Sequence, residues 1–219
     1  MISIVIPTYH MKYGLEFLKQ SFDMLKQQTY KDFEVVVTDD SMDDEIRDFC
    51  QEEKDLPLRF IKNMGTPGMA GNTNTAMLYA NGDLIKILYQ DDRLYHSRAL
   101  EVIAAHFKPK DNWLATSCTH TDGSVHWPTY SDEILKGVNT IGSPSVITIR
   151  KQANPILFNT KLTWVLDLDY YYRMKQKFGE PKLVYDINVI INTGDHQTTF
   201  NLSDERKLAE VNYLKEKYL

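Results

Sequence analysis

Three short runs of acidic residues have the types and spacing to do chemistry. The first, Thr38-Asp39-Asp40-Ser41-Met42-Asp43-Asp44, crowds oxygen acceptors at the end of an apolar stretch. A helix cap needs only one such side chain, so consecutive carboxylates there suit a base, a ribose or a metal better. The second, Tyr89-Gln90-Asp91-Asp92, puts two carboxylates after another apolar run. Hard divalent cations take oxygen ligands, and a diphosphate can complete the shell when one or two carboxylates hold the ion. The third, Trp164-Val165-Leu166-Asp167-Leu168-Asp169-Tyr170, has Arg173 one turn beyond Asp169. Acids in a first helical turn are stabilised by the helix dipole, so Asp167 and Asp169 also read as ordinary helix-start residues.

The elements around these runs follow an α/β grammar. Ile2 to Ile6 is a short β-branched run closed by Pro7, and Leu15, Leu18, Phe22 and Leu25 follow at helical spacing. Phe33 to Thr38 then predicts a strand and Ile46 with Phe49 a short helix. Leu58 to Ile61 predicts a third strand, Asn72 to Ala80 a helix and Leu84 to Leu88 a fourth strand. This alternation implies a mostly parallel sheet flanked by helices, with Asp39 and Asp91 at strand carboxyl ends, where open α/β sheets bind ligands. Trp113 to Cys118, Val146 to Ile149 and Leu183 to Ile191 read as later strands, Leu166 to Phe178 as a helix, and Ser203 as the cap of a helix running to Tyr218. Thr119 to Pro144 is rich in Thr, Ser, Gly and Pro and reads as loops and short strands shaping a second pocket. Gly65, Gly68 and Gly71 match no phosphate-loop spacing. No linker or repeat divides the 219 residues, so one domain is expected.

A formal charge of −5 argues against an extended nucleic-acid surface. Cys50 and Cys118 give neither a disulfide framework nor a thiolate cluster, which suits a cytoplasmic setting. The first apolar run is too short for a membrane span. The terminal segment, with Lys207, Lys215 and Lys217 beside Leu208, Val211 and Leu214, reads as a docking helix or a peripheral membrane contact.

Four segments together resemble the family 2 glycosyltransferases, whose nucleotide-binding fold is called GT-A. Ser3-Ile4-Val5-Ile6-Pro7-Thr8-Tyr9 resembles the opening strand of that family, and Val35 to Asp43 is similar to its Val-Val-Asp-Asp-Gly-Ser-x-Asp segment. Leu84 to Asp92 resembles the strand leading into the D-x-D metal motif, and Leu166-Asp167-Leu168-Asp169 through Arg173 resembles the later Glu-Asp motif. Gly142-Ser143-Pro144-Ser145 through Arg150 looks like an acceptor-side segment. Two positions depart from the pattern. Tyr89 stands where the metal motif begins with an acid, and Leu166 replaces the Glu before the presumed base.

The resemblance implies a Rossmann-like GT-A domain, with residues 1–118 binding a nucleotide sugar and 119–219 supplying the acceptor side and the base. It implies that Pro7, Thr8, Tyr9, Asp39, Asp40, Asn72, Gln90 and Asp91 bind the nucleotide, that Asp91 and His196 hold a divalent Mn or Mg ion, and that Asp167 is the general base of an inverting transfer. Ser145, in the acceptor-side segment, is an acceptor contact it implies; of the aromatic residues Trp127, Tyr130 and Trp164, which read as ring faces for a sugar or as packing, Trp164 is the preferred acceptor contact because it stands just before Asp167. The donor is a nucleotide diphosphate sugar, with uridine preferred because an ionised Asp39 can accept the uracil N–H; thymine offers the same donor. A glycan, lipid-linked or protein hydroxyl is the acceptor. Asn72 and Asn74 have a competing reading as helix caps. The rivals are a receiver domain, a catalytically silent nucleotide-sugar or glycan-binding protein, and a sugar-nucleotide nucleotidyltransferase, which would release diphosphate from a nucleoside triphosphate.

Overall fold

A computed structural model of the chain describes residues 1–195 and 197–219. The first half follows the expected alternation: β1 (Ile2–Thr8), α1 (Gly14–Lys26), β2 (Phe33–Asp39), α2 (Glu45–Glu52), β3 (Leu58–Lys62), α3 (Met69–Tyr79) and β4 (Leu84–Ile87). The two-residue β5 (Arg93–Leu94) comes next, then α4 (Ala99–His106), β6 (Trp113–His120), β7 (Val125–His126) and β8 (Ile147–Arg150). The chain closes with α5 (Leu166–Phe178), β9 (Lys182–Ile191), the single-turn α6 (Thr198–Asn201) and α7 (Asp204–Tyr218). Two 3-10 turns, Asp132–Lys136 and Pro144–Val146, interrupt the long loop before β8.

Among the described residues the strands form one mixed sheet in the order β3-β2-β1-β4-β8-β6-β9-β5, with β7 paired to β6. β2, β1 and β4 run parallel, and Thr8 pairs with Asp39 while Val5 pairs with Ile87. That register brings the carboxyl ends of the three strands to one edge, so the acidic runs after β2 and β4 emerge side by side. β8 enters antiparallel between β4 and β6. Alternation of apolar residues reports burial, not strand direction, which is why Val146 to Ile149 was legible as a strand but its reversal was not.

β1 and β2 are buried along their whole length, as parallel strands covered on both faces must be. On the far side Trp113 stacks on Tyr171 of α5 with ring centroids 6.0 Å apart, and Phe158 stacks on Tyr170 at 4.1 Å. α5 is therefore pressed against the sheet by its aromatic face, leaving its first turn at the ligand edge. The expected cap holds: the Ser203 hydroxyl accepts from the backbone N–H of Arg206 and starts α7. No helix among the described residues is long and apolar enough to cross a membrane.

α7 does more than cover the core. Buried Asp169 on α5 receives Arg173 Nε at 2.7 Å, the Tyr218 hydroxyl at 2.6 Å and Lys217 Nζ at 3.2 Å, so this acid ties α5 to the end of α7. Glu210 ties the other end. Its carboxylate accepts from the backbone N–H groups of Thr163 at 3.1 Å, Trp164 at 2.8 Å and Val165 at 3.2 Å, and from Arg206 Nε at 3.0 Å. These amides lead into α5 and would otherwise be short of partners, and a carboxylate before a helix start also opposes its dipole favourably.

Candidate active site

A cavity of about 660 Å³ opens at the carboxyl edge of β1, β2 and β4. Its lining includes Pro7, Tyr9, Asp40 and Asn72 from beside β1, β2 and α3, Tyr89, Gln90, Asp91 and Asp92 after β4, and Asn139, Trp164 and Asp167 from the second half of the chain. Of the residues expected at the site, Pro7, Tyr9, Asp40, Asn72, Gln90, Asp91, Trp164 and Asp167 therefore share one cavity. His196 lies outside the described residues.

Three expected contacts do not line the cavity. Asp39 is fully buried, with Lys62 Nζ at 2.9 Å, the Ser41 hydroxyl at 2.6 Å and the Thr8 hydroxyl at 3.2 Å around its carboxylate. This geometry differs from the expected direct contact with a base: Asp39 and Thr8 brace the ends of β2 and β1, and the neighbouring Asp40 faces the cavity. Ser145 is also fully buried, and its hydroxyl accepts the Tyr89 backbone N–H at 2.9 Å, so it supports the segment after β4.

These lining residues are held by partners distant in sequence. Asp40 takes the Asn63 side-chain amide at 2.5 Å and the Gly68 N–H at 2.6 Å, drawing the loop after β3 over the cavity. A Cβ at Gly71 would lie 1.9 Å from the Thr66 carbonyl oxygen, so this loop can close only over glycine. Asn72 does not cap α3, which begins at Met69 with Gly68 before it. Its side-chain nitrogen instead donates to Thr8 O at 2.8 Å and Thr38 O at 3.2 Å, and its oxygen is a buried acceptor with no partner among the described residues. Asn74 is structural: its amide pairs with both the N–H and the carbonyl of Phe158. Gln90 accepts the Tyr9 N–H at 2.9 Å, while its side-chain nitrogen is buried with no partner among the described residues. Both orphaned groups, an acceptor and a donor, belong to side chains of residues that line the cavity.

Asp167 sits in the first turn of α5. Its Oδ1 accepts the Leu168 N–H at 2.8 Å and its Oδ2 the Asn139 side-chain amide at 2.7 Å. Burial pushes its carboxyl up to about 7, against the lowering by its backbone hydrogen bonds. A carboxylate that changes protonation near neutrality is matched to general-base work. Tyr89 stands among Asp167, Asp91 and Asp92, and burial, the largest effect, with these three charges keeps its phenol protonated.

One further group was missed by sequence reasoning. Lys86, in the middle of β4, is fully buried and donates to the Ser145 carbonyl. Burial pushes its ammonium down to about 7, with Asp92 acting in the opposite direction. Asp92 is raised by burial first and by Asp91 second, and the Asn192 N–H donates to it at 3.0 Å. A lysine inside the apolar run Leu84 to Leu88 was the available signal, since lysine is almost never fully buried without a partner. Ser145 thus ties the lysine to the turn that carries the acids.

Residues 3–179 match the model of the family described as Glycosyl transferase family 2. The chain belongs to that family. Over 92 residues it is 33% identical to the UDP-Glc:alpha-D-GlcNAc-diphosphoundecaprenol beta-1,3-glucosyltransferase WfgD of Escherichia coli, covering 42% of this chain and 35% of that protein. It is 26% identical over 215 residues to the putative colanic acid biosynthesis glycosyl transferase WcaA of Escherichia coli K12, covering 91% and 75%. Among solved structures, TarS of S. aureus superposes with a TM-score of 0.71 at 18% identity, covering 99% of this chain and 39% of TarS. Its fragment 1-349 in complex with UDP-GlcNAc gives 0.66 at 19% identity, covering 99% and 73%. These likenesses show the GT-A fold. The chain spans about a third of the length of WfgD.

Family 2 membership implies a divalent ion, and the cavity's chemistry fits one. Four carboxylates line it, from Asp40, Asp91, Asp92 and Asp167, and no lysine or arginine is among its described lining residues. A diphosphate entering such a cavity meets acidic side chains and no lysine or arginine among the described lining residues, and a hard cation on oxygen ligands offsets that repulsion. The described side chains preassemble no full cage there: the three-residue cluster with metal-ligand spacing is the exposed His10, Asp43 and Glu45, which does not line the cavity. An ion at Asp91 would take its remaining ligands from the diphosphate and water, the usual arrangement for magnesium with phosphates.

Proposed function

We propose that this chain transfers a sugar, with inversion, from a uridine diphosphate donor to a hydroxyl of a glycan or lipid-linked acceptor. The observation that carries the reading is that Asp167 lines the same cavity as Pro7, Tyr9, Asp40 and Asn72. The activity for which WfgD is named, with a UDP-linked donor and a diphosphoundecaprenol acceptor, supports the donor and acceptor classes, and the UDP-GlcNAc complex of TarS supports the donor. The two free, buried cysteines fit a reducing cytoplasmic setting.

In this reading the nucleotide lies along Pro7, Tyr9, Asp40 and Asn72, and Trp164 offers the acceptor a ring face. Asp167 takes the proton of the acceptor hydroxyl as that oxygen attacks the anomeric carbon. The new C–O bond forms as the bond from the anomeric carbon to the diphosphate oxygen breaks, and the electron pair leaves with the nucleoside diphosphate. A divalent ion held by Asp91 would supply charge neutralisation on that leaving group. One displacement from the opposite face inverts the anomeric configuration, and the fixed positions of base and donor lower its entropic barrier.

Incubating the purified chain with UDP-sugars, an acceptor glycan and Mn or Mg should release nucleoside diphosphate in step with a new glycosidic product. Release of diphosphate from a nucleoside triphosphate would overturn the reading in favour of a nucleotidyltransferase, and donor binding without turnover would favour a silent binder. Chelating the metal should weaken UDP-sugar affinity, measured by calorimetry, about tenfold or more. Unchanged affinity in excess chelator would remove the ion from the scheme.

A further inference from the structure

The loop before the second 3-10 turn contains a side chain whose hydrogen bonds all serve one arrangement. The Asn139 oxygen accepts the N–H groups of Ile141 at 3.1 Å and Gly142 at 2.8 Å. Its nitrogen donates to the Gly142 carbonyl at 3.0 Å and to Asp167 Oδ2 at 2.7 Å. Two donors and two acceptor sites are the whole capacity of an asparagine amide, so its orientation is fixed by four bonds. Gly142 adopts φ +114°, a backbone conformation that favours glycine, and its carbonyl also receives the Tyr171 hydroxyl of α5 at 2.8 Å. The loop is therefore anchored on the helix that carries Asp167, and the one amide proton not spent on the loop points at the carboxylate.

We propose that Asn139 is a positioning residue for the transfer reaction: it holds Oδ2 of Asp167 against rotation, while the Leu168 N–H holds Oδ1, so that the carboxylate plane is set before the acceptor arrives. The inference rests on the reading of Asp167 as the base. A hydrogen-bond acceptor oxygen keeps a second lone pair, so a carboxylate gripped once on each oxygen can still receive the hydroxyl proton. Donation to the charged form also opposes the effect of burial on Asp167. The titratable groups facing Asp167 are the phenols of Tyr89 and Tyr171, with Asp91 and Asp92 also beside Tyr89 and His120 lining the same cavity. An asparagine adds orientation there without adding charge.

Asn139→Asp separates this role from loop support. It keeps an oxygen for the Ile141 and Gly142 amides but replaces the N–H facing Asp167 with a second carboxylate oxygen. The midpoint of the Asp167 carboxyl, followed by carbon NMR and assigned with Asp167→Asn, should rise by about one unit or more. The acid limb of kcat should move with it, lowering kcat at pH 7 about fivefold or more while donor KM stays within about twofold. Asn139→Ala, which adds no charge, should raise the midpoint by less and lower kcat without a change in donor affinity. If both variants bind UDP normally and leave the midpoint and the acid limb where the unsubstituted chain has them, Asn139 only closes its loop and the proposal is wrong. Failure of the underlying reading shows differently: Asp167→Asn would then retain turnover, whatever the Asn139 variants do.

Discussion

Asp167→Asn should lower kcat about 10²- to 10⁴-fold, the range that a positioned general base contributes, while UDP-sugar affinity remains within about twofold. The amide is nearly isosteric but cannot take the hydroxyl proton. The unsubstituted chain should show an acid limb in kcat near pH 7, because the carboxyl is pushed up to about 7 and only its ionised form acts. The same shift has a stability consequence with a definite sign. The folded-state value lies above the ordinary value of 3.8, so between about pH 4 and 7 the native state keeps a proton that the unfolded chain releases. Stability therefore falls as pH rises through that window, by at most about 4 kcal/mol at about 1.4 kcal/mol per unit. Asp167→Asn removes this penalty but leaves one of its two amide donors, Asn139 or Leu168, poorly matched, so a gain of about 1–3 kcal/mol at pH 8 is expected, shrinking toward pH 4. Denaturant melts at the two pH values measure it. A variant that is inactive and more stable at pH 8 than its parent is the signature of a group strained for function.

Glu210→Ala should be the most costly truncation of a surface-helix acid outside the cavity. It strips the acceptor from three backbone N–H groups ahead of α5 and leaves Arg206 without its carboxylate. Removing one partner from such a network costs about 2–4 kcal/mol, discounted because Arg206 is half exposed. For a domain of this length that is a fall in Tm of about 5–15 °C. The effect also reaches catalysis, since the freed segment is the one that sets Trp164 and the first turn of α5. Glu210→Gln retains one carbonyl acceptor and should lose about half as much. Equal and negligible shifts for both variants, read by calorimetry, would show that α7 does not hold the start of α5.

The parts of this molecule that were legible in the sequence are those written in one short window. β1, β2 and β4 announced themselves as apolar runs, α5 by its period and its ending at Gly179, and α7 by Ser203. The acidic run after β2, the one after β4 and Asp167 were recognisable because strand ends and helix starts are where such residues are useful. What escaped was set by partners far away in the chain. Asp39 looked like a ligand contact because nothing local says that Lys62, 23 residues on, closes over it. Ser145 looked like an acceptor contact, although its hydroxyl is spent on the Tyr89 backbone 56 residues earlier. β5 and β7 have two residues each, too few for any periodicity to register. Glu210 and Asn139 carried faint signals: an acid beside Val211 on the buried face of α7, and an asparagine three residues before a glycine in a polar loop. Neither spacing says which backbone the side chain will meet.

A crystal structure of the chain soaked with a UDP-sugar and Mn decides whether donor and base share this cavity. The expected density has the nucleotide along Pro7, Tyr9, Asp40 and Asn72, the diphosphate and ion at Asp91, and the anomeric carbon turned toward Asp167. A nucleotide bound outside this cavity, or a sugar whose anomeric carbon faces away from Asp167, would contradict it.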